Sequence, residues 1–141
     1  MEMVPQPVTG WEEIDSQHAD LIGRAAELKA RVEARDAAGA CAVLEGFLEA
    51  TLRHFATEEE LMERSQYPER TAHKGAHDLF VCDLYALASE LAESGLGAVV
   101  EDWAVVRMPG WLAFHIQTND QPLVRHLMRS RKAHASRSAS S

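Results

Sequence analysis

Metal-ligating side chains fall four residues apart in two separate segments, His54 with Glu58 and His73 with His77, and both pairs lie on stripes that continue in apolar residues. Positions four apart on an α-helix sit one above the other, with Cβ atoms roughly 5–6 Å from each other. Each segment can therefore turn two ligands toward a shared interior. His18, His115 and Asp120 complete the set. A helical chain would bring all seven groups to one depth, and that requirement constrains the fold more than any other feature.

The apolar periodicity supports four helices. The first follows Asp15 or Ser16 as cap and carries His18, Leu21, Ala25, Leu28 and Val32 at steps of three and four. The second starts after Asp36 and runs to about Arg64, with Leu44, Phe47, Thr51, His54, Glu58 and Leu61 on one face. The third is expected from Pro68, a residue suited to the first helical position, to a stop at Ser94-Gly95. The fourth spans about Val99 to Met128, with a break or kink expected near Pro109 and another near Pro122. Short connections favour antiparallel neighbours, so the fold class is all-α, an antiparallel up-down-up-down four-helix bundle with a di-metal site in its core. Residues 1–10 are expected to form a flexible extension, 11–128 the bundle, and 129–141 a disordered basic tail.

At 141 residues and 46% hydrophobic composition the chain fills one core. No apolar run suits a membrane span, and the N-terminus lacks the basic start and apolar stretch of a signal peptide, so the default is a cytoplasmic protein. Formal net charge is −8. Four of the 14 basic residues lie in the tail (Arg129, Arg131, Lys132, Arg137), leaving residues 1–128 with 10 basic against 22 acidic side chains. A body that acidic repels nucleic acid. The basic tail leaves docking to an acidic protein partner open.

Five imidazoles and two carboxylates suit iron, manganese or zinc better than calcium or magnesium, which prefer oxygen shells. Seven groups are too many for one tetrahedral zinc but fit two octahedral ions with positions to spare. The Glu-x-x-His pattern of ferritin-like di-iron bundles is absent, which leaves a histidine-dominated site. His115 and Asp120 are five apart, so an ideal helix would rotate one roughly 140° from the other. Both can serve one site if they reach it from opposite edges of the helix or if a π-type turn widens it locally.

The segments IDSQHADL, HFATEEELM, HKGAHDLF and WLAFHIQTND carry these seven positions, and together they resemble the hemerythrins, specifically the single-domain bacterial members. The resemblance covers roughly residues 11–128. It implies two iron ions joined by an oxo or hydroxo bridge, with His73, His77 and His115 on one iron, His18 and His54 on the other, and Glu58 and Asp120 bridging. It implies reversible dioxygen binding at the iron with fewer histidines, for transport, storage or delivery, and no enzymatic role. Leu21, Phe55, Trp111 and Ile116 are the candidates for an apolar oxygen pocket. The competing functions are a di-iron peroxidase or oxidase and a module that senses oxygen, nitric oxide or iron. Family members commonly carry a tyrosine three residues after the bridging aspartate; Leu123 stands there in this chain.

The remaining polar residues have plainer expectations. His126 and His134 are expected in solvent, and Glu59, Glu60 and Glu63 on a solvated face, with Glu59 also a candidate to support a ligand. Cys41 and Cys82 lie about eight residues out of register between antiparallel helices, roughly 12 Å, too far for a disulfide. They are expected as small core residues.

Overall fold

The computed structural model describes residues 8–139; the expectations for residues 1–7 and 140–141 lie outside the described residues. Helix α1 spans Glu12–Glu33, α2 Ala37–Arg64 and α3 Arg70–Ser94. A fourth column is built end to end from α4 (Ala98–Asp102), a π-helical segment Trp103–Arg107, α5 (Met108–His115), a second π-helical segment Ile116–Asp120, and α6 (Gln121–Ala139). Helix α1 packs on α2, α2 on α3, and the fourth column on both α1 and α3, which closes an antiparallel up-down-up-down bundle. There is no strand among the described residues, and none of their helices is long and apolar enough to cross a membrane.

Helix α1 begins four residues before Ser16, and Asp15 acts from inside its first turn. Gly10 adopts φ +96°, which turns the chain so that Thr9 N–H and Gly10 N–H donate to the Asp15 carboxylate at 2.8 and 3.0 Å. Asp36 caps α2 by accepting from Gly39 N–H at 2.9 Å. Pro68 does not open α3. It lies in the turn from Tyr67 to Arg70, because Tyr67 is held by the end of α2: its N–H donates to Met62 O at 2.9 Å while Gln66 N–H reaches Glu63 O at 3.3 Å. The same pair of bonds, Asp36 N–H to Arg31 O and Arg35 N–H to Val32 O, ends α1. Both endings are Schellman turns, and each puts a non-glycine residue at positive φ, Arg35 at 60° and Gln66 at 55°.

The fourth column does not break at its prolines. Each π-helical segment ends just before one, Trp103–Arg107 before Pro109 and Ile116–Asp120 before Pro122. Proline has no N–H and its ring collides with the carbonyl four residues back, and a turn that bonds five residues back relieves that collision without ending the helix. Residues 129–139, expected as a disordered tail, continue α6, and the Arg131 guanidinium lies 4.2 Å from the centroid of the Trp11 ring. Residues 8–10 are tied down as well: besides the Asp15 contacts, Gln121 Nε2 donates to Val8 O at 3.0 Å.

Two apolar clusters flank a polar band. The larger joins Leu21, Leu28, Leu44, Phe47, Phe80, Leu84, Met108 and their neighbours; the smaller joins Ile14, Met62, Tyr67, Leu123, Val124 and Leu127. His18, His54, Glu58, His73, His77, His115 and Asp120 lie between them, all buried. Cys41 and Cys82 are free but exposed, not in the core, because Cys41 sits one position past Ala40, off the stripe of Ala40 and Leu44, and Cys82 sits midway between Phe80 and Leu84, two positions from each.

Candidate metal centre

Seven buried ligating groups come from all four columns: His18 from α1, His54 and Glu58 from α2, His73 and His77 from α3, His115 from α5 and Asp120 from the second π-helical segment. Their atoms fall into two sets. Glu58 Oε1 lies 3.3 Å from His73 Nε2 and 3.0 Å from His77 Nε2, while Glu58 Oε2 lies 3.4 Å from His54 Nε2 and 4.0 Å from His18 Nε2. Asp120 repeats the division: Oδ1 is 3.0 Å from His73 Nε2 and 3.2 Å from His115 Nε2, and Oδ2 is 2.8 Å from His18 Nε2. Each carboxylate thus offers one oxygen to a three-histidine set and one to a two-histidine set. Within each set the ligating atoms lie within 4.8 Å of one another.

The second π-helical segment makes the fourth wall work. Its wider turn brings residues five apart to the same side, so His115 just before it and Asp120 at its end both face the interior.

The imidazoles are oriented from outside the cluster. Thr57 donates its hydroxyl hydrogen to Arg53 O at 3.0 Å, so it can only accept from the Gln17 amide at 3.1 Å. That turns Gln17 Oε1 toward His54, whose Nδ1–H donates to it at 2.7 Å. The proton is fixed on Nδ1, and the Nε2 lone pair faces inward. Glu59 does the same for His77, accepting from Nδ1–H at 3.0 Å. Aromatic rings hold the imidazole planes: Phe55 stacks on His77 at 3.7 Å and Trp111 on His115 at 4.4 Å.

Electrostatically the cluster is unsettled by itself. Burial, then the neighbouring Asp120 charge, pushes the Glu58 carboxyl well above the ordinary range. Burial also pushes Asp120 upward, but the close approach of the His115, His18 and His73 imidazoles outweighs it and holds that carboxyl well below its usual value. Burial followed by the charge of His18 lowers His54 to about 3, and burial followed by the charge of His73 lowers His77 to about 2. Burial opposes charge on His73 too, yet the Asp120 and Glu58 carboxyls close against its Nε2 raise it to about 9. Three inward atoms, Glu58 Oε2, His115 Nε2 and Asp120 Oδ1, are fully buried and have no aligned hydrogen-bond partner. Lone pairs crowded in this way, and neutral imidazoles beside two carboxylates, are what a cationic centre between them would satisfy. The donor set fits a pair of transition-metal ions.

Beside His18 and His54 lies a small cavity of about 10 Å³, the least space that admits one water-sized group. Leu21, Phe55, Trp111 and Ile116 all line it, with His115 and Asp120 at its edge. The sequence reading missed three other lining residues in that role, Thr51, Phe80 and Leu112, and it missed Gln17. Thr51 had a signal, being a polar residue one turn before His54 on an apolar stripe. Gln17 had none, because its partner lies on another helix.

His126 is not in solvent. It is half-buried against Tyr67, with ring centroids 5.1 Å apart, and its Nε2 lies 2.8 Å from Ser65 O, a carbonyl at the end of α2. His134 is exposed.

The hemerythrin HHE cation-binding domain model matches residues 9–127. The chain belongs to the hemerythrin family. It is 32% identical over 123 residues to a bacteriohemerythrin of Pseudomonas aeruginosa, covering 85% of this chain and 78% of the relative. It is 32% identical over 114 residues to one of Stenotrophomonas maltophilia, covering 79% and 71%. Similarity extends to a myohemerythrin of Sipunculus nudus, at 34% identity over 79 residues, 56% of this chain and 58% of the relative.

Proposed function

We propose that this hemerythrin-family chain holds two iron ions and binds dioxygen reversibly, as a carrier, store or deliverer of oxygen in the cytoplasm. The observation that carries the reading is the division of five imidazole nitrogens between the two oxygens of each of two carboxylates. In this reading His73, His77 and His115 hold one iron, His18 and His54 the other, and Glu58 and Asp120 bridge them. When bound, the iron pair supplies the two electrons that reversible dioxygen binding requires.

The chain's own residues do the rest. Gln17 and Glu59 keep the proton of His54 and His77 on the outer nitrogen, so both remain inward-facing donors. The two-histidine side abuts the cavity, and fewer protein ligands there leave room for an external one. Leu21, Phe55, Trp111 and Ile116 form walls that exclude water and disfavour the escape of charged species. Among the described residues that line the cavity, only His18, His54, His115 and Asp120 titrate, and all four belong to the proposed ligand set. With no separate acid or base beside the ligand, the site favours a carrier over a peroxidase or oxidase.

Two measurements test this. Protein reduced without air and then exposed to oxygen should change colour reversibly through several cycles of oxygen removal; a single irreversible oxidation, or steady turnover with an added reductant, contradicts the carrier. His54→Ala and Glu58→Ala should each bring bound iron well below two per chain. Full iron in both variants would show that the ligand set is wrong.

A further inference from the structure

Thr51 is fully buried, at 0% exposure, and its Oγ1 has no hydrogen-bond partner. A helical threonine ordinarily returns its hydroxyl to a carbonyl one turn back, as Thr57 does with Arg53 O at 3.0 Å. Thr51 does not. Its side chain lines the cavity beside His18 and His54, whose other walls outside the ligand set are Leu21, Phe55, Phe80, Trp111, Leu112 and Ile116. A valine has nearly the same shape and would fill this position without burying a donor that nothing in the protein accepts. The hydroxyl is a polar group with no structural use, placed in an otherwise apolar wall.

We propose that Thr51 Oγ1 donates a hydrogen bond to the outer atom, the part lodged in this cavity, of a small electron-rich ligand held on the two-histidine side, dioxygen or an anion of two or three atoms such as azide, and thereby determines which ligands are held. The proposal rests on the di-iron reading above and adds a specificity-determining residue to it. Thr51 touches no member of the ligand set through a hydrogen bond, so its removal should change ligand binding without changing iron content.

The test uses the full chain as wild type, Thr51→Val and Thr51→Ser. In metal-free protein, Thr51→Val should unfold at or above the wild-type midpoint, because it removes an unpartnered buried hydroxyl. A fall of roughly 3 °C or more, the size expected from losing one internal hydrogen bond, would assign the hydroxyl a structural role and overturn the proposal. In the iron-loaded, oxidised protein, azide titrated by its visible absorption should bind Thr51→Val about threefold to tenfold more weakly, the worth of one neutral hydrogen bond. Thr51→Ser, which keeps the donor, should stay within about twofold of wild type, and all three proteins should carry the same iron. Equal azide affinity in wild type and Thr51→Val, or a serine variant as weak as the valine, overturns the role of Thr51 while leaving the iron site intact. Failure of all three proteins to take up iron overturns the di-iron reading itself, and this proposal with it.

Discussion

Gln66 and Arg35 show how much local conformation this chain accepts in order to make tight turns between long helices. Both sit at positive φ, 55° and 60°, where a side chain crowds the following carbonyl at a cost of about 1–2 kcal/mol. The Gln66 turn holds Tyr67 against Met62 and presents Ser65 O to His126, so its geometry is needed even though its residue type is not. Gln66→Gly keeps the turn and removes the crowding. After allowing for the extra backbone freedom glycine loses on folding, we expect a gain of about 0.5–1 kcal/mol, or a thermal midpoint raised by roughly 2–4 °C with iron content unchanged. A lower midpoint in a thermal scan would mean that the exposed Gln66 side chain, through its Nε2 bond to Glu63 O at 3.1 Å, matters more than its backbone. At the cluster itself, the residue-scale logic is orientation: a threonine fixes a glutamine, the glutamine fixes a histidine tautomer, and the lone pair that faces inward is decided two groups away.

The two π-helical segments are the elements that separate this bundle from four plain rods. A π-type turn amounts to one extra residue in an α-helix, so removing that residue should restore ordinary helix without rotating either flank. Deleting Thr118, exposed in the second segment, together with Pro122→Ala to remove the ring that would then clash inside a regular helix, should leave His115 and Asp120 four apart on one face. The doubly altered protein should therefore retain helicity and most of its iron. Deleting Ala56 from α2, an equally exposed residue in a regular helix, should swing Glu58 by about 100° relative to His54 and abolish iron binding. Similar iron content in the two deletants would mean that the widened turn is not what aligns Asp120. Legibility in the sequence follows the same line. Helix α2, capped by Asp36 and ending at Arg64, and the ligand pairs on α2 and α3 were readable because three-and-four periodicity is a local code. The odd His115 to Asp120 spacing left two geometries open, reach from opposite edges or a π-type turn, of which the second is found; continuity through Pro109 was not readable, because a helix can evade a proline clash by widening. Exposure of Cys41 and Cys82 turned on helical phase, one step of about 100° from Ala40 for the first and two such steps from Phe80 for the second. The burial of His126 turned on the end of another helix, which no local pattern reports.

For the molecule as a whole, the arrangement sets a polar band between two apolar clusters, and this decides how folding depends on metal. In a small zinc module the ion replaces a core that the chain lacks, so the apoprotein is unfolded. Here the larger cluster alone joins α1, α2, α3, α4, α5 and the first π-helical segment, and the smaller one ties α1, α2 and α6 at the other end. Metal-free protein should accordingly remain helical and unfold cooperatively. It should nevertheless be less stable than the loaded form, since the band leaves buried Glu58, His115 and Asp120 atoms without aligned partners and holds Glu58 against both burial and a neighbouring negative charge. An ion that binds only the folded chain adds about 2.7 kcal/mol at a free concentration a hundred times its dissociation constant. For a chain of this size that corresponds to a midpoint raised by roughly 5–10 °C per ion, measurable by calorimetry on the same preparation before and after chelation. Unchanged midpoints would show that the band is not a metal site, and loss of all helix on chelation would show that the two clusters cannot fold without one.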